Sequence, residues 1–199
     1  MRDKVIGYLM QSIEKQHDYS KDKLEEIQYG LEALYITITK TAVILVLAYF
    51  LGIFWIVLLL ALLHGLIRTV SFGLHATSSW LCFLFSGALF IIPPLFFNLI
   101  ILPLWIQIAI CLLALCAVVL WAPADTKNRP LYNKKKRERL KILSIIITLV
   151  YITAVFLIDN NVIANAILYI LIIKIFDISP FTYKLFKQPY ANYKREEVK

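Results

Sequence analysis

Long runs of apolar residues dominate the chain from residue 34 to residue 179. The runs 34–67 and 79–122 are each longer than the about 20 helical residues that cross the hydrocarbon core of a bilayer. A β-barrel would instead alternate apolar and polar residues in segments of about ten. Residues such as Ile142–Leu149 do not alternate. The pattern therefore predicts an all-α integral membrane protein.

Glycine, proline and polar residues divide these runs into about six predicted transmembrane helices. Gly52 interrupts the first run, and Pro93-Pro94, Asn98 and Pro103 interrupt the second. An architecture with four spans and re-entrant helices remains an alternative, because the second span is short. The six expected spans lie at about 34–52, 54–69, 79–97, 103–122, 142–158 and 162–179.

The first part of the chain has a different character. Residues 1–32 mix charged residues with apolar ones at helical spacing, which predicts an amphipathic helical region at the membrane surface. Met1 to Gly30 hold no apolar core, so no cleavable signal peptide is expected. No internal repeat or soluble domain is apparent, and residues 1–199 are predicted to form a single membrane domain.

Composition and charge indicate how the chain is oriented in the membrane. The chain is 60% hydrophobic, with a net charge of +8 and a mean hydropathy of +0.74. Residues 123–141 hold eight Lys/Arg against two acidic residues. Basic loops beside spans mark the cytoplasmic side, so this basic loop, the loop 69–78 and both termini are predicted to be cytoplasmic. This orientation signal, rather than nucleic-acid binding, accounts for the basic balance, and membrane lipids are expected partners.

Candidate chemistry is concentrated between residues 68 and 82. His75 and Cys82 are seven residues apart, and a histidine base can generate the thiolate that cysteine catalysis needs. On one straight helix the two residues would lie about 10.5 Å apart along the axis, too far for a dyad. Gly73 permits a sharp turn, however, and Thr77, Ser78 and Ser79 are candidate helix caps.

These features predict a specific geometry for the pair. If the helix begins at Ser78 or Ser79, His75 lies in the loop before it and Cys82 in its first turn. Free N–H groups and the helix dipole would favour a thiolate there. Spacing alone leaves two alternatives open. The cysteine could serve only in packing, as expected for Cys111 and Cys116. The histidine could be a polar group at the membrane interface.

The whole stretch resembles the signature of the accessory gene regulator B (AgrB) family. Arg68, Gly73-Leu74-His75-Ala76, Ser78-Ser79 and Cys82 carry the first part of the resemblance. Ala122-Pro123-Ala124-Asp125-Thr126 with Pro130, followed by a basic run, carries the second. Many members have two adjacent glycines before the histidine, where this chain has Phe72-Gly73. The resemblance covers essentially the whole chain.

This resemblance implies a bacterial membrane cysteine endopeptidase that processes an AgrD-like quorum-sensing precursor. The catalytic pair would be Cys82 and His75. An acyl-enzyme at Cys82, formed as the precursor's C-terminal tail departs, would be resolved by closure of a thiolactone or lactone ring. Supporting or substrate-contacting roles fall on Arg68, Gly73, Ser78, Ser79 and Asp125, the last as a residue that could orient His75.

Further expectations concern partners and alternatives. A homodimer is possible for a small bundle of this kind, and no metal or other cofactor is predicted. A small transporter or exporter, or a membrane scaffold, remains an alternative function, although His64, Gln107, Asn165 and Lys174 form no obvious polar pathway. The acidic tail of the substrate is predicted to be attracted by Lys134, Lys135, Lys136, Arg137 and Arg139.

Overall fold

The computed structural model describes residues 2–16, 19–74, 79–126 and 131–192. Within these ranges the regular structure is helical. The contacts divide the chain into two compact units, Met1–Leu47 and Ala48–Lys199. The helices are α1 (Arg2–Gln16), α2 (Lys21–Phe50), α3 (Phe54–Ser71), α4 (Ser79–Ile91), α5 (Leu104–Trp121), α6 (Lys134–Leu157), α7 (Asn161–Ile178) and α8 (Pro180–Leu185), with a 3-10 turn at Pro93–Phe96 between α4 and α5.

Five of the described helices are long and apolar enough to cross a membrane, namely α2, α3, α5, α6 and α7. This confirms the all-α integral membrane class. The expected span 79–97 is present as a shorter apolar helix, because α4 has 13 residues and gives way to the 3-10 turn at Pro93. Proline lacks a backbone donor and so ends the regular helix there.

Two helices begin earlier than the hydropathy pattern indicates. Helix α2 runs without a break from Lys21 to Phe50, so it joins the end of the expected interfacial region to the first span. Helix α6 begins at Lys134, so the second half of the expected basic loop 123–141 is helical. The Asn133 side chain caps α6 by accepting a hydrogen bond from the Lys136 N–H at 3.1 Å. Lys, Arg and Glu are good helix formers, and no hydropathy signal marks such a start.

The Met1–Leu47 unit consists of α1 and most of α2. Among its described residues, Ile6 and Met10, four residues apart on α1, and Ile44 on α2 are buried apolar side chains, while Val5 and Leu9 remain exposed. The amphipathic face expected of this region is therefore only partly covered within the described chain.

Helix α7 is the central helix of the Ala48–Lys199 unit and packs against α3, α5 and α6. Of its apolar window, 56% is buried, against 22% for each of these three neighbours. The Asn160 side chain caps it by accepting hydrogen bonds from the N–H groups of Val162 and Ile163. At the same end, the Asn165 side chain donates to the carbonyls of Phe97 and Ile100. The beginning of α7 thus contacts the turn that precedes α5.

Candidate functional site

The candidate site begins at a sharp turn that follows α3. Phe72, the residue after the helix, has φ +53°, and Gly73 has φ +129°. Both values lie where L residues are strained, and glycine tolerates them best. A Cβ on Gly73 would also lie 3.0 Å from the carbonyl oxygen and 3.1 Å from the Cβ of Asp177. The turn predicted at Gly73 is therefore present, and its conformation favours glycine, while a side chain there would press against Asp177.

Backbone hydrogen bonds fix this turn between two distant segments. The Gly73 N–H donates to the Ala124 carbonyl at 3.1 Å, and the Ala124 N–H donates to the Ser71 carbonyl at 3.0 Å. These bonds form an isolated parallel bridge between Phe72 and Ala124. The Leu74 N–H donates to the Asp177 carbonyl at 2.9 Å. The two sequence blocks of the resemblance, around Gly73 and around Ala124, thus meet in space.

Arg68 adds side-chain contacts from the last turn of α3. Its Nη2 donates to the Leu74 carbonyl at 2.8 Å, and its Nη1 lies 3.5 Å from Asp177 Oδ2 and 3.2 Å from His64 Nε2. The sequence leaves three roles for Arg68 open, namely steadying the loop, binding substrate carboxylates and lying at the membrane interface. These contacts favour the first.

Lys174 also contacts this turn, although no sequence pattern places it at the site. Its side chain is fully buried in α7, and Nζ donates to the Phe72 carbonyl at 2.7 Å. Nζ also lies 3.6 Å from Asp177 Oδ2. The sequence offers one signal, a pair of opposite charges three residues apart in an apolar helix. It carries no sign that the pair reaches Phe72, which is 102 residues away.

The second half of the site lies at the start of α4. This helix begins at Ser79, which places the backbone of Cys82 at its fourth position. Gly73 and Leu74 precede it, and His75 and Ser78 lie outside the described residues, as do the side chains of Ser79 and Cys82. The described backbone therefore has the break between α3 and α4 that the predicted geometry needs. The distance between His75 and Cys82 stays a prediction.

Asp125 occupies a buried position one residue beyond the Phe72–Ala124 bridge. Its Oδ1 accepts hydrogen bonds from the Asn192 backbone N–H at 2.9 Å and from the Asn192 side chain at 3.4 Å. Its Oδ2 lies 3.5 Å from the Leu131 N–H. These bonds connect the segment after α5 to the segment before α6 and to the C-terminal residues. A role in orienting His75 has no support among these contacts and stays a prediction.

Tyr183 of α8 completes this buried cluster. Its hydroxyl lies 3.2 Å from the Ala124 carbonyl and 3.1 Å from the Asp125 carbonyl, and donates to them. Burial raises the pKa of the Tyr183 hydroxyl well above its ordinary value, and the negative charges of Asp125 and Asp177 raise it further. The hydroxyl therefore stays protonated and continues to donate at physiological pH.

The basic residues predicted to attract the substrate occupy the first two turns of α6. Arg137 lines a cavity of about 240 Å³, together with Lys141, Trp121 and Tyr190. Glu138 also lines this cavity. The other predicted basic residues are exposed, and they are Lys134, Lys135, Lys136 and Arg139. Among the residues that the structure describes, no cluster of His, Cys, Asp and Glu has the composition of a metal site.

The fold and this site define a small helical membrane protein with a glycine turn placed ahead of a cysteine-bearing helix. Residues 3–178 match the family model described as accessory gene regulator B. The chain belongs to the AgrB family. Membership implies a part in processing the peptide signal of accessory gene regulator quorum sensing, with an AgrD-type peptide as partner.

Individual relatives agree with this assignment. A putative AgrB-like protein of Listeria innocua is 33% identical over 172 residues, which cover 86% of this chain and 84% of the relative. The accessory gene regulator protein B of Staphylococcus epidermidis is 32% identical over 155 residues, covering 77% and 79%. A putative AgrB-like protein of Clostridium acetobutylicum is 25% identical over 171 residues, covering 86% and 82%. No solved structure gives a significant match.

Proposed function

We propose that this protein is a membrane cysteine endopeptidase that cleaves an AgrD-type precursor and promotes closure of a thiolactone or lactone ring. The observation that supports this most directly is the break between α3 and α4. Gly73 turns the chain after α3, and a new helix begins at Ser79 with Cys82 in its first turn. A single straight helix through both residues would have kept His75 and Cys82 about 10.5 Å apart.

In the proposed acylation step, His75 takes the proton of the Cys82 thiol. The thiolate attacks a carbonyl carbon of the precursor, forming a carbon–sulfur bond. The carbon–nitrogen bond then breaks, and His75 gives its proton to the departing amine. The first N–H groups of a helix lack intrahelical partners, and those of α4 would stabilise the thiolate and the oxyanion.

In the proposed ring closure, a thiol or hydroxyl within the bound peptide attacks the Cys82 thioester. His75 takes the proton of that nucleophile and returns it to the Cys82 sulfur as the carbon–sulfur bond breaks. A thioester keeps enough reactivity for this transfer, provided that water is kept away. The product is a macrocycle, and the enzyme is regenerated.

Substrate attraction and orientation form part of the same proposal. The three lysines at the start of α6 would attract the acidic tail of the precursor from the cytoplasm. The positive-inside rule supports the same side for the N- and C-termini and for the turn at Gly73. A homodimer is compatible with this account and is not required by it.

The test is co-expression with an AgrD-type precursor followed by mass spectrometry of the peptide products. Wild-type protein is expected to release the C-terminal tail, whereas Cys82→Ser and His75→Ala release none. Cys111→Ala and Cys116→Ala serve as matched cysteine controls and are expected to retain cleavage. Full cleavage by Cys82→Ser would refute the endopeptidase proposal, and movement of uncleaved precursor across the membrane would favour a transporter.

A further inference from the structure

A charged side chain buried within a membrane helix needs an explanation. Charged groups are costly at membrane depth, so they pair with one another or with backbone carbonyls and often serve a function. Lys174 is fully buried on α7, the most buried of the five candidate spans. Its ammonium contacts the Phe72 carbonyl at 2.7 Å and lies 3.6 Å from the Asp177 carboxylate. The charge is thus directed at the turn after α3.

Asp177, one helical turn further along α7, contacts the same segment in other ways. Its carbonyl accepts a hydrogen bond from the Leu74 N–H, and its backbone and Cβ fill the space that a side chain at Gly73 would need. Its carboxylate lies 3.5 Å from Arg68, whose guanidinium also donates to the Leu74 carbonyl. The last turn of α7 therefore contacts each residue of the segment Phe72–Leu74.

We propose that Lys174 and Asp177 are positioning residues for the catalytic histidine, acting through the turn Phe72–Leu74. Leu74 directly precedes His75 in the chain. The contacts of α7 with the turn therefore fix the position of the residue from which the chain continues to His75. This inference rests on the proposed endopeptidase function. Neither residue is assigned a contact with substrate.

The chemistry of the two side chains suits this role. A lysine ammonium has three donors, so it can serve the Phe72 carbonyl and the Asp177 carboxylate together. Hydrogen bonds from a charged donor are stronger than neutral ones. A methionine at position 174 would fill similar space and make neither contact. An asparagine at position 177 would keep the backbone contacts but lose the charge that Arg68 and Lys174 share.

The test compares Lys174→Met and Asp177→Asn with Asn165→Leu in the otherwise intact protein. Asn165 provides a matched control because it is also buried on α7 and also donates to backbone carbonyls, those of Phe97 and Ile100. It lies nine residues from Lys174, about 13.5 Å along the helix. Each variant is purified in detergent. Its cleavage of an AgrD-type precursor is measured at the same interval below its own midpoint of thermal unfolding.

Lys174→Met is expected to lower kcat about 100-fold, the loss that a 1 Å misplacement of a reacting group can cause. KM is expected to change less than about twofold, because the residue does not contact the peptide. Asn165→Leu is expected to retain the kcat of the folded wild type. The losses from Lys174→Met and Asp177→Asn should not add in the double variant, since both act through one turn.

A second readout follows the cysteine without any peptide. In a background of Cys111→Ala and Cys116→Ala, iodoacetamide reports the reactivity of Cys82 at neutral pH. Lys174→Met is expected to slow this alkylation towards the rate of His75→Ala, whereas Asn165→Leu is not. Amide hydrogen exchange of residues 72–74 is expected to accelerate only in Lys174→Met and Asp177→Asn.

The outcomes separate the two proposals. If wild type cleaves and Lys174→Met keeps its kcat, the positioning role is wrong and the endopeptidase proposal stands. Equal losses in Lys174→Met and Asn165→Leu would also overturn the positioning role. If wild type fails to cleave the precursor and Cys82 reacts at the same rate in His75→Ala, the endopeptidase proposal fails and the positioning role falls with it.

Discussion

Gly73 shows how much one residue can determine about this site. Its φ of +129° strains any L residue, and a Cβ there would lie 3.0 Å from the Asp177 carbonyl oxygen, closer than an ordinary contact. The sequence predicts the turn because glycine is the residue that such a turn requires. It does not predict the packing against Asp177, because a contact between residues so far apart in sequence leaves no local pattern.

Gly73→Ala is therefore expected to distort the turn and slow cleavage. An L residue held in such a sparsely populated backbone conformation costs about 1–3 kcal/mol, and about 1.4 kcal/mol corresponds to a tenfold change in rate. Cleavage is expected to fall by about tenfold or more, with a lower midpoint of thermal unfolding. Both are measured on purified protein in detergent.

Gly65→Ala provides the matched control for this substitution. Gly65 lies within α3, and a Cβ there meets nothing within 4 Å. Alanine favours helix by up to about 1 kcal/mol over glycine, so stability should hold or rise and cleavage should persist. Equal behaviour of the two alanine variants would contradict the account of the turn.

At the scale of the helices, the sequence predicts where a helix is interrupted. It does not predict where charged residues extend a helix beyond its apolar part. Gly52 and Asn160 mark ends of helices close to the expected boundaries, because each has a local backbone effect. Helix α4 instead ends at Ile91, six residues before the expected end at 97, because Pro93 breaks the regular helix. The early starts of α2 and α6 escape prediction, because a charged helical turn has no hydropathy signature. The contact of Lys174 with Phe72 is likewise invisible, since it depends on how α3 and α7 pack.

The start of α6 carries a charge pattern that helix stability does not explain. Lys134, Lys135 and Lys136 occupy its first turn, where the helix dipole is positive and cations are unfavourable. Membrane orientation is one sufficient reason for them. Attraction of an acidic peptide tail is a second reason that is compatible with the first.

Replacing these three lysines with glutamine tests the second reason. KM for the AgrD-type precursor is expected to rise several-fold at low ionic strength and to approach the wild-type value at about 1 M salt, where the Debye length is about 3 Å. The kcat is expected to change little. Lys184→Gln with Lys187→Gln controls for loss of positive charge elsewhere, two charges rather than three, because both side chains are exposed and lie outside α6. A change in KM that is independent of salt would exclude an electrostatic role.

At the scale of the whole molecule, the membrane class follows from the sequence, whereas the internal arrangement does not. All the spans are strongly apolar, so hydropathy cannot distinguish the buried α7 from helices that face lipid. The central position of α7 depends on packing against α3, α5 and α6. That position is what brings Lys174 and Asp177 to the turn after α3.

The number of crossings decides where the termini lie. Helix α4 has 13 residues, about 20 Å of length, against a hydrocarbon core of about 30 Å. If the segment 79–97 crosses by local thinning of the bilayer, six crossings place both termini in the cytoplasm. Reporter fusions at each terminus, active on only one side of the membrane, are expected to report the cytoplasm for both. Opposite sides would show that this segment is re-entrant.

The central claim is that Cys82 becomes acylated by the peptide it cleaves, and intact-protein mass spectrometry tests it most directly. Purified protein is mixed with an AgrD-type precursor, quenched in acid and mapped by peptide digestion. The account predicts a mass increase on Cys82 equal to the precursor without its C-terminal tail, released by neutral hydroxylamine and absent from His75→Ala. Tail release by wild type with no adduct on Cys82 at any time, together with unimpaired release by Cys82→Ser, would contradict it.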